Sequence, residues 1–233
     1  MDRTYKVPMR NRVGRSILRV IFRGLFRVLF RIQITGLEHV PKEGAYIISP
    51  NHVSLYDPPF VVAFWPVIPE VAGAAEVWER AGQSLLAKMY GGLQIHRGMY
   101  DRRVIDNMLR VLRAGRPLLI APEGGRSHEP GLRQGKPGVA YLLEKSNVPL
   151  IPVGVVGTTD DVLSRALRGE RPRLEMRVGL PLRVPPLMGR GRDLREARQR
   201  NTDLVMSHIA ALLPREYRGV YSEYVRDTAK TQE

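Results

Sequence analysis

The sequence predicts an α/β fold in which helices flank a mixed, largely parallel sheet, with a basic amphipathic membrane-surface helix at the amino terminus. Short apolar segments alternate with segments of helical spacing, which is typical of parallel sheets. Several of the apolar segments lead directly into polar or glycine-rich loops. The length of 233 residues suits one domain with a sizeable core. We therefore expect a membrane-associating segment over 1–32, an α/β domain over 33–227 and a flexible tail over 228–233.

The first 32 residues hold nine of the 37 basic residues, while the whole chain has a net charge of +14. Five arginines recur at every fourth position, opposite a set of apolar side chains: Arg15, Arg19, Arg23, Arg27 and Arg31. Five arginines disfavour a conventional membrane span, whereas a basic amphipathic helix is suited to an anionic membrane interface. The alternative is a helix that packs its apolar face on its own domain and leaves the arginines in solvent. Both interpretations hold if the helix packs on its own domain and still presents arginines to lipid headgroups.

The first half of the domain alternates strands with helices. Residues 33–37 are predicted as a strand, and the apolar run 45–49 is short enough for a buried strand after the turn at 41–44. A helix over 58–64 follows, because proline is favoured at the first helical position. A strand, a helix and a second strand are then predicted over 67–75, 79–90 and 93–95.

The second half continues this alternation. The amphipathic segment 101–114 is predicted as a helix that Gly115 ends. Apolar runs over 117–121 and 149–156 predict buried strands, and residues 174–178 alternate as a strand does. Further helices are predicted over 139–145, 160–168 and 194–213.

A histidine and an aspartate lie five residues apart where strand 45–49 gives way to helix 58–64. Residues five apart do not share a face of one continuous helix, but His52 and Asp57 can meet across such a junction. A histidine held by a carboxylate is a general base with a fixed tautomer and orientation. On the spacing alone, Asp57 is equally a helix cap and His52 an ordinary loop histidine.

Two other polar segments follow predicted strands, 96–98 and 122–127. Because the carboxyl ends of parallel strands meet at one edge, we expect these loops to join His52 around one crevice. Their arginines, Arg97 and Arg126, could bind a phosphate through paired hydrogen bonds. Each arginine taken alone is equally compatible with an ordinary surface position.

With the proline-punctuated strand over 148–154, these segments resemble four motifs of one family, in the same order. The chain resembles the glycerophospholipid acyltransferases that include bacterial 1-acylglycerol-3-phosphate acyltransferase. Their NHxSxxD, glycine-arginine, EGTRS-like and proline-rich motifs correspond to 51–57, 91–98, 123–127 and 148–154. The chain departs from the family at Gly125, where threonine is usual, and at His96, where an acidic or amide residue is common. These two departures bear on the identity of the acceptor.

The resemblance implies transfer of a fatty acyl chain from an acyl thioester to the free hydroxyl of a lysophospholipid, foremost 1-acyl-sn-glycerol-3-phosphate. It implies that His52 is the general base and that Asp57 holds its imidazole. It also implies that substrate phosphate is bound by Arg97, Glu123, Gly124 and Arg126. Since a carboxylate repels phosphate, we expect Glu123 to pair with an arginine or a glycerol hydroxyl. Further candidates for substrate contact are Asn51, Ser54, Gly125, Lys136 and Pro152.

The expected partners are an anionic membrane surface, a lysophospholipid and acyl-CoA or acyl-ACP as co-substrate, with no metal or other cofactor. The chain has no cysteine and only scattered histidines, which disfavours a metal site. No G-x-S-x-G motif supports a serine nucleophile, and no motif supports nucleic-acid binding. Without an evident signal peptide, we expect a peripheral or monotopic protein on the cytoplasmic face of the membrane. Another lipid or glycolipid acceptor, or a non-catalytic membrane-binding module, are the alternatives.

Overall fold

The computed structural model describes residues 5–96 and 101–224 and confirms the α/β fold with a mixed, mostly parallel sheet. The strands of this part of the chain are β1 (Arg31–Thr35), β2 (Ile47–Pro50), β3 (Glu70–Ala74), β4 (Leu93–Ile95), β5 (Leu118–Leu119), β6 (Leu150–Val156) and β7 (Arg173–Val178). Its α-helices are α1 (Met9–Leu29), α2 (Asp57–Phe64), α3 (Ser84–Tyr90), α4 (Arg102–Arg113), α5 (Gly138–Ser146), α6 (Val162–Leu167) and α7 (Gly191–Ala211). The tail predicted over 228–233 lies outside the described residues.

The sheet has the strand order β1-β7-β6-β2-β5-β3-β4. Neighbouring strands are parallel except for β6 and β7, which are antiparallel. From the central strand β2 the chain moves to β3 on one side, and from β5 it crosses back to β6 on the other. The carboxyl end of β2 is therefore a topological switch point, where ligands of α/β proteins bind. We call the edge formed by the carboxyl ends of β2, β5 and β6 the site edge.

Helices cover both faces of the sheet. Two buried cores result, one under α1, α2 and α6 and the other under α4, α5 and α7. Successive residues of a strand point to opposite faces, so Ile48 belongs to the first core and Ile47 to the second, both fully buried. Burial on both faces explains why the central strands are short continuous apolar runs.

Helix α1 is present, but its charges are not arranged as expected. Several of its arginines face the protein, whereas we expected them in solvent or at lipid headgroups. The Arg23 Nε donates to the carbonyl of Ala63 over 2.9 Å, and the Arg19 Nη2 donates to the carbonyl of Trp65. These carbonyls lie at the end of α2, where a helix leaves acceptors without partners. Cations are favoured at that position, so the arginines attach α1 to α2.

A buried ion pair fixes the first half of α1 to the sheet. The Arg15 guanidinium donates to both carboxylate oxygens of Glu70, over 2.6 and 2.7 Å. The same carboxylate accepts from Tyr5 over 2.7 Å and from Arg116 over 2.9 Å. Burial favours the neutral acid, but hydrogen bonds and charge from Arg15, Tyr5 and Arg116 outweigh it and hold the pKa of Glu70 below its usual value. The carboxylate is therefore retained in its ionised form.

The outward side of α1 contains a row of apolar residues beside exposed arginines. Six exposed apolar side chains, between 45% and 72% accessible, form what we call the apolar ridge: Val13, Ile17, Val20, Ile21, Leu25 and Val28. The inward side contributes Leu18, Phe26 and Phe30 to the buried surface. Within residues 5–96 and 101–224, no helix combines the length and the hydrophobicity needed to cross a bilayer.

Candidate functional site

The loop after β2 places His52 against the first residue of α2. The imidazole Nδ1 lies 2.9 Å from the Asp57 Oδ2, which confirms the contact predicted from their spacing. Asp57 is fully buried, while the His52 side chain keeps 17% of its surface exposed. The pair therefore has a shielded acid and an imidazole that solvent or substrate can reach.

Both oxygens of Asp57 have further donors. The Ser54 N–H donates to Oδ2 over 2.9 Å, and the Thr158 hydroxyl donates to Oδ1. Since an ionised carboxylate can only accept, the imidazole carries its proton on Nδ1 and its lone pair on Nε2. Nε2 has no hydrogen-bond partner among the described residues. The arrangement leaves one basic nitrogen free at the site edge.

Both oxygens of Glu123 accept main-chain N–H groups, and its contacts among the described residues do not include the arginine side chain that we expected. A hydrogen bond between Glu123 and a glycerol hydroxyl stays a prediction. Its Oε1 accepts the main-chain N–H of His52 over 2.8 Å, and its Oε2 accepts the main-chain N–H of Arg133 over 2.9 Å. Burial raises the pKa of the carboxyl group, and the two amide hydrogen bonds oppose that rise. The Ser127 N–H also donates to the His52 carbonyl over 2.8 Å. Glu123 thus fastens the loop after β5 to the main chain of the histidine.

Three of the further candidates are engaged within the fold. The Asn51 side chain exchanges two hydrogen bonds with the main chain of Val155, over 2.9 and 2.7 Å. The Ser54 hydroxyl accepts the Tyr56 N–H over 3.1 Å, which shapes the turn before α2. Pro152 is buried within β6. These residues build the loop geometry, and their contact with substrate stays a prediction.

The glycine loop after β5 lies beside a lysine. Gly124 has φ +68°, in the left-handed region that favours glycine. A Cβ on Gly124 would lie 3.1 Å from the Cγ of Lys136, so the lysine stem runs close over the loop. Lys136 is exposed and Gly125 is buried. The glycine loop therefore lies next to a solvent-accessible cation.

Arg126 is joined to an aspartate that sequence reasoning missed. Its Nη1 lies 3.6 Å from the Asp160 Oδ1, and the Nδ1 of His128 lies 3.0 Å from the Asp160 Oδ2. Thr158 was missed as well. Both residues belong to the polar run that directly follows β6, and a polar run after a buried strand is the pattern that could have identified them. Arg97, the other predicted phosphate ligand, lies outside the described residues.

The family model described as Acyltransferase matches residues 31–156, which is more than half of the chain and includes the His52 loop, the glycine loop and β6. This chain belongs to the acyltransferase family. The resemblance predicted from the four motifs is thereby confirmed.

The acyltransferase is similar to two kinds of curated protein. It is 33% identical over 168 residues to lyso-ornithine lipid O-acyltransferase of Pseudomonas aeruginosa, covering 64% of this chain and 62% of the relative. It is 31% identical over 136 residues to 1-acyl-sn-glycerol-3-phosphate acyltransferase of Limnanthes douglasii, covering 54% of this chain and 46% of the relative. The chain thus aligns with about half to three fifths of the length of these relatives.

A solved structure has a similar fold. The crystal structure of the 1-acyl-sn-glycerophosphate acyltransferase PlsC from Thermotoga maritima matches with a TM-score of 0.59 at 18% sequence identity. The match covers 81% of this chain and 76% of the other. At this identity the likeness concerns the fold alone.

Proposed function

We propose that the acyltransferase moves a fatty acyl chain from an acyl thioester to the free hydroxyl of a lysophospholipid. The first candidate acceptor is 1-acyl-sn-glycerol-3-phosphate, which would give phosphatidic acid, and the thioester is carried on CoA or acyl carrier protein. The observation that carries the proposal is the 2.9 Å contact between His52 Nδ1 and the buried Asp57. Family membership supports the reaction class.

In the proposed mechanism, the free Nε2 of His52 takes the proton of the acceptor hydroxyl as its oxygen attacks the thioester carbonyl. The carbon–sulfur bond then breaks, and the departing thiolate receives the proton back from the imidazolium. Asp57 keeps the ring oriented and stabilises its transient positive charge. The protein forms no covalent bond to the acyl chain in this scheme.

In this scheme the glycine loop after β5 binds the acceptor phosphate. Arg126 and Lys136 supply positive charge there, and the φ of +68° at Gly124 turns the main chain beside them. Arg97 is proposed as a second guanidinium on the strength of the family motif alone. Glu123 contributes indirectly, since it holds the loop against His52.

The decisive test replaces His52 with alanine. Acceptor-dependent thiol release should fall by about 10²- to 10⁴-fold, the usual contribution of a general base. His208→Ala is the matched control, because that histidine is exposed on α7 and none of the described contacts of the site involves it. Equal circular dichroism spectra and melting temperatures would establish that both variants are folded. A His52→Ala variant with the parental rate would refute the mechanism.

An acceptor with an amino-acid headgroup is the second candidate, favoured by the contact between Arg126 and Asp160. An arginine reserved for phosphate alone needs no carboxylate beside it, whereas an ornithine headgroup carries both an ammonium and a carboxylate. Asp160 keeps 44% of its side chain exposed and could receive the ammonium while Arg126 receives the carboxylate. The similarity to lyso-ornithine lipid O-acyltransferase supports this alternative.

Replacing Asp160 with asparagine separates the two acceptors. With lysophosphatidic acid, removal of the competing carboxylate should free Arg126 and lower the KM. With lyso-ornithine lipid, loss of the ammonium partner should raise the KM. Rates with both acceptors, measured on the parent and on Asp160→Asn, therefore identify the headgroup. An unchanged KM for both would eliminate any role of Asp160 in acceptor choice.

Membrane association is the third part of the proposal. The apolar ridge of α1 is exposed along the helix, and contiguous exposed apolar faces mark interaction surfaces. We assign the ridge to the acyl boundary of the membrane, with the exposed arginines of the helix near the headgroups. This arrangement keeps the protein peripheral or monotopic, beside the leaflet that contains its lipid acceptor.

A further inference from the structure

A cleft of about 420 Å³ lies at the end of α1, beside the start of β1. It is lined by Arg27, Arg31 and Arg171 together with apolar side chains that include Phe30 and Phe64. Arg27 and Arg31 belong to the arginine series of the first 32 residues, but Arg171 belongs to no sequence motif, and the acyl-transfer mechanism uses none of the three. A concave apolar surface with a few convergent charged groups is the usual form of a small-molecule site.

The positive charge of the cleft is not neutralised. Among the described residues, Arg27, Arg31 and Arg171 have no carboxylate within ion-pair distance. The acidic residues nearest in sequence, Glu170 and Glu175, are each bound to two other arginines. The cleft is therefore a concentration of guanidinium groups that fits an anionic ligand.

The fold holds these arginines in place. Arg171 adopts φ +47°, and its Nη2 donates to the carbonyl of Arg27 over 3.3 Å. The Arg27 guanidinium lies 5.7 Å from the centre of the Phe64 ring, a distance typical of a cation–π contact. The Arg31 N–H donates to the carbonyl of Pro172 over 3.0 Å, which joins β1 to the segment that carries Arg171. Two elements distant in sequence thus line one cleft.

The position of the cleft indicates which anion it receives. Because β7 runs antiparallel to β6, Val156 pairs with Glu175, and Arg173 in turn pairs with Arg31. The start of β1 therefore lies at the site edge, the same edge as His52. Val28, a member of the apolar ridge, directly follows Arg27 and is 72% exposed. With the ridge on the membrane, as proposed above, an anion that reaches this cleft comes from the membrane surface.

We propose that the cleft of Arg27, Arg31 and Arg171 binds the phosphate of an anionic glycerophospholipid in the membrane, with the beginning of an acyl chain over Phe30 and Phe64. The bound lipid is a membrane component, distinct from the acceptor. It would keep the site edge beside the leaflet. The inference rests on the proposed membrane association of the ridge and stands apart from the acyl-transfer reaction.

The test measures binding of short-chain, doubly acylated phosphatidylglycerol to the full chain by calorimetry, below its micelle concentration. This probe has no free glycerol hydroxyl at the acylation positions, so failure of the proposed reaction would not alter the result. Parallel arms use inorganic phosphate and phosphatidylcholine of equal chain length. The test variant combines Arg27→Gln, Arg31→Gln and Arg171→Asn, because asparagine tolerates the left-handed backbone.

The control variant removes the same charge from exposed basic residues that already have carboxylate partners and do not line the cleft: Arg102→Gln, Lys145→Gln and Arg192→Gln. We expect phosphatidylglycerol to bind to the parent more tightly than inorganic phosphate or phosphatidylcholine does. The affinity for phosphatidylglycerol should fall about fivefold for each cleft arginine replaced, since each basic residue at an anionic surface contributes on the order of 1 kcal/mol. The control should retain parental affinity.

Three results would overturn the proposal. An equal loss of phosphatidylglycerol affinity in the control variant would indicate that only the total charge matters. Inorganic phosphate binding as tightly as phosphatidylglycerol would indicate a simple anion site. Phosphatidylcholine binding as tightly as phosphatidylglycerol would indicate that the guanidinium groups are not used. If the triple variant melts at a lower temperature than the parent, Arg31→Gln replaces it, because no side-chain contact of Arg31 holds the fold together. A loss below about twofold in that variant also contradicts the site.

Discussion

The orientation of His52 depends on a residue far away in the sequence. Asp57 fixes the imidazole, and Thr158, which directly follows the carboxyl end of β6, donates to the other oxygen of Asp57. The spacing of His52 and Asp57 made their contact predictable. The contribution of Thr158 was not predictable, because 101 residues separate it from Asp57 and only the pairing of β6 with β2 brings them together.

Replacing Thr158 with valine keeps the shape of the side chain and removes its hydroxyl donor. We expect kcat to fall roughly tenfold with little change in KM, because partners of this kind orient a functional group without touching substrate. Steady-state kinetics with the preferred acceptor would measure this. Thr159→Val is the control, since that hydroxyl binds Asp161 outside the site. Equal kinetics for the two variants would exclude a positioning role for Thr158.

The carboxylate of Glu123 offers a second prediction at the residue scale. In Glu123→Gln, one oxygen becomes an amide nitrogen that faces the N–H of either His52 or Arg133. Loss of an acceptor in a buried position should lower the free energy of unfolding by about 1–3 kcal/mol. Urea denaturation would measure the change. A variant of parental stability would mean that the two amide hydrogen bonds are dispensable.

At the scale of an element, α1 shows why the sequence pattern predicted a helix but not the direction in which its arginines point. Arginine at every fourth position predicts one basic face, but it does not say which face meets the protein. The carbonyls after α2 and the buried Glu70 need donors, and arginine supplies five N–H groups on a long stem. The first arginines therefore turn inward and the apolar residues outward. The competing acceptors belong to other elements, so α1 alone could not reveal this.

Glu70 provides the test of that docking. In Glu70→Gln, Arg15 becomes a buried cation without its carboxylate, which should cost about 3–5 kcal/mol of the free energy of unfolding. The pKa of Glu70 is depressed in the folded state, so its stabilisation is complete above the unfolded pKa and is lost as the pH falls through the folded value. Urea denaturation between about pH 7 and about pH 3 should show this loss in the parent and not in the variant.

Glu43→Gln, in an exposed turn, is the control for the same chemical change. It should retain parental stability across the series. Parental stability of Glu70→Gln at neutral pH would show that the ion pair does not hold α1.

At the scale of the whole molecule, composition and alternation predicted an α/β domain and a largely parallel sheet. They did not predict that β7 runs antiparallel to β6. Exposed and buried residues alternate along β7, a pattern that half-buried strands share whatever their direction. Its pairing with β6 results from the tertiary arrangement, which no local pattern encodes. Because β7 is reversed, the amino ends of β7 and of its parallel neighbour β1 lie at the same edge of the sheet as the carboxyl ends of the central strands. The site edge is longer as a result.

The apolar ridge leads to a prediction for the molecule on a membrane. In a variant with Val20→Gln, Leu25→Gln and Val28→Gln, vesicle flotation should decrease about tenfold or more per residue, since burial of such a side chain contributes about 1.5–3 kcal/mol. Activity on water-soluble short-chain acceptors should persist. Glutamine preserves the helix, because its helical propensity is good.

The control removes exposed apolar residues elsewhere, in Leu167→Gln, Leu180→Gln and Met188→Gln. Flotation of that variant should match the parent. If both variants lose flotation equally, general surface hydrophobicity and not the ridge attaches the protein to lipid.

The inward turn of the arginines also has a consequence for handling the purified protein. With Arg19 and Arg23 engaged by main-chain carbonyls, the first helix exposes the apolar ridge to water. Copies deprived of lipid should adhere through this ridge at high concentration, and a mild detergent should disperse them. Light scattering with and without detergent would reveal such reversible clustering.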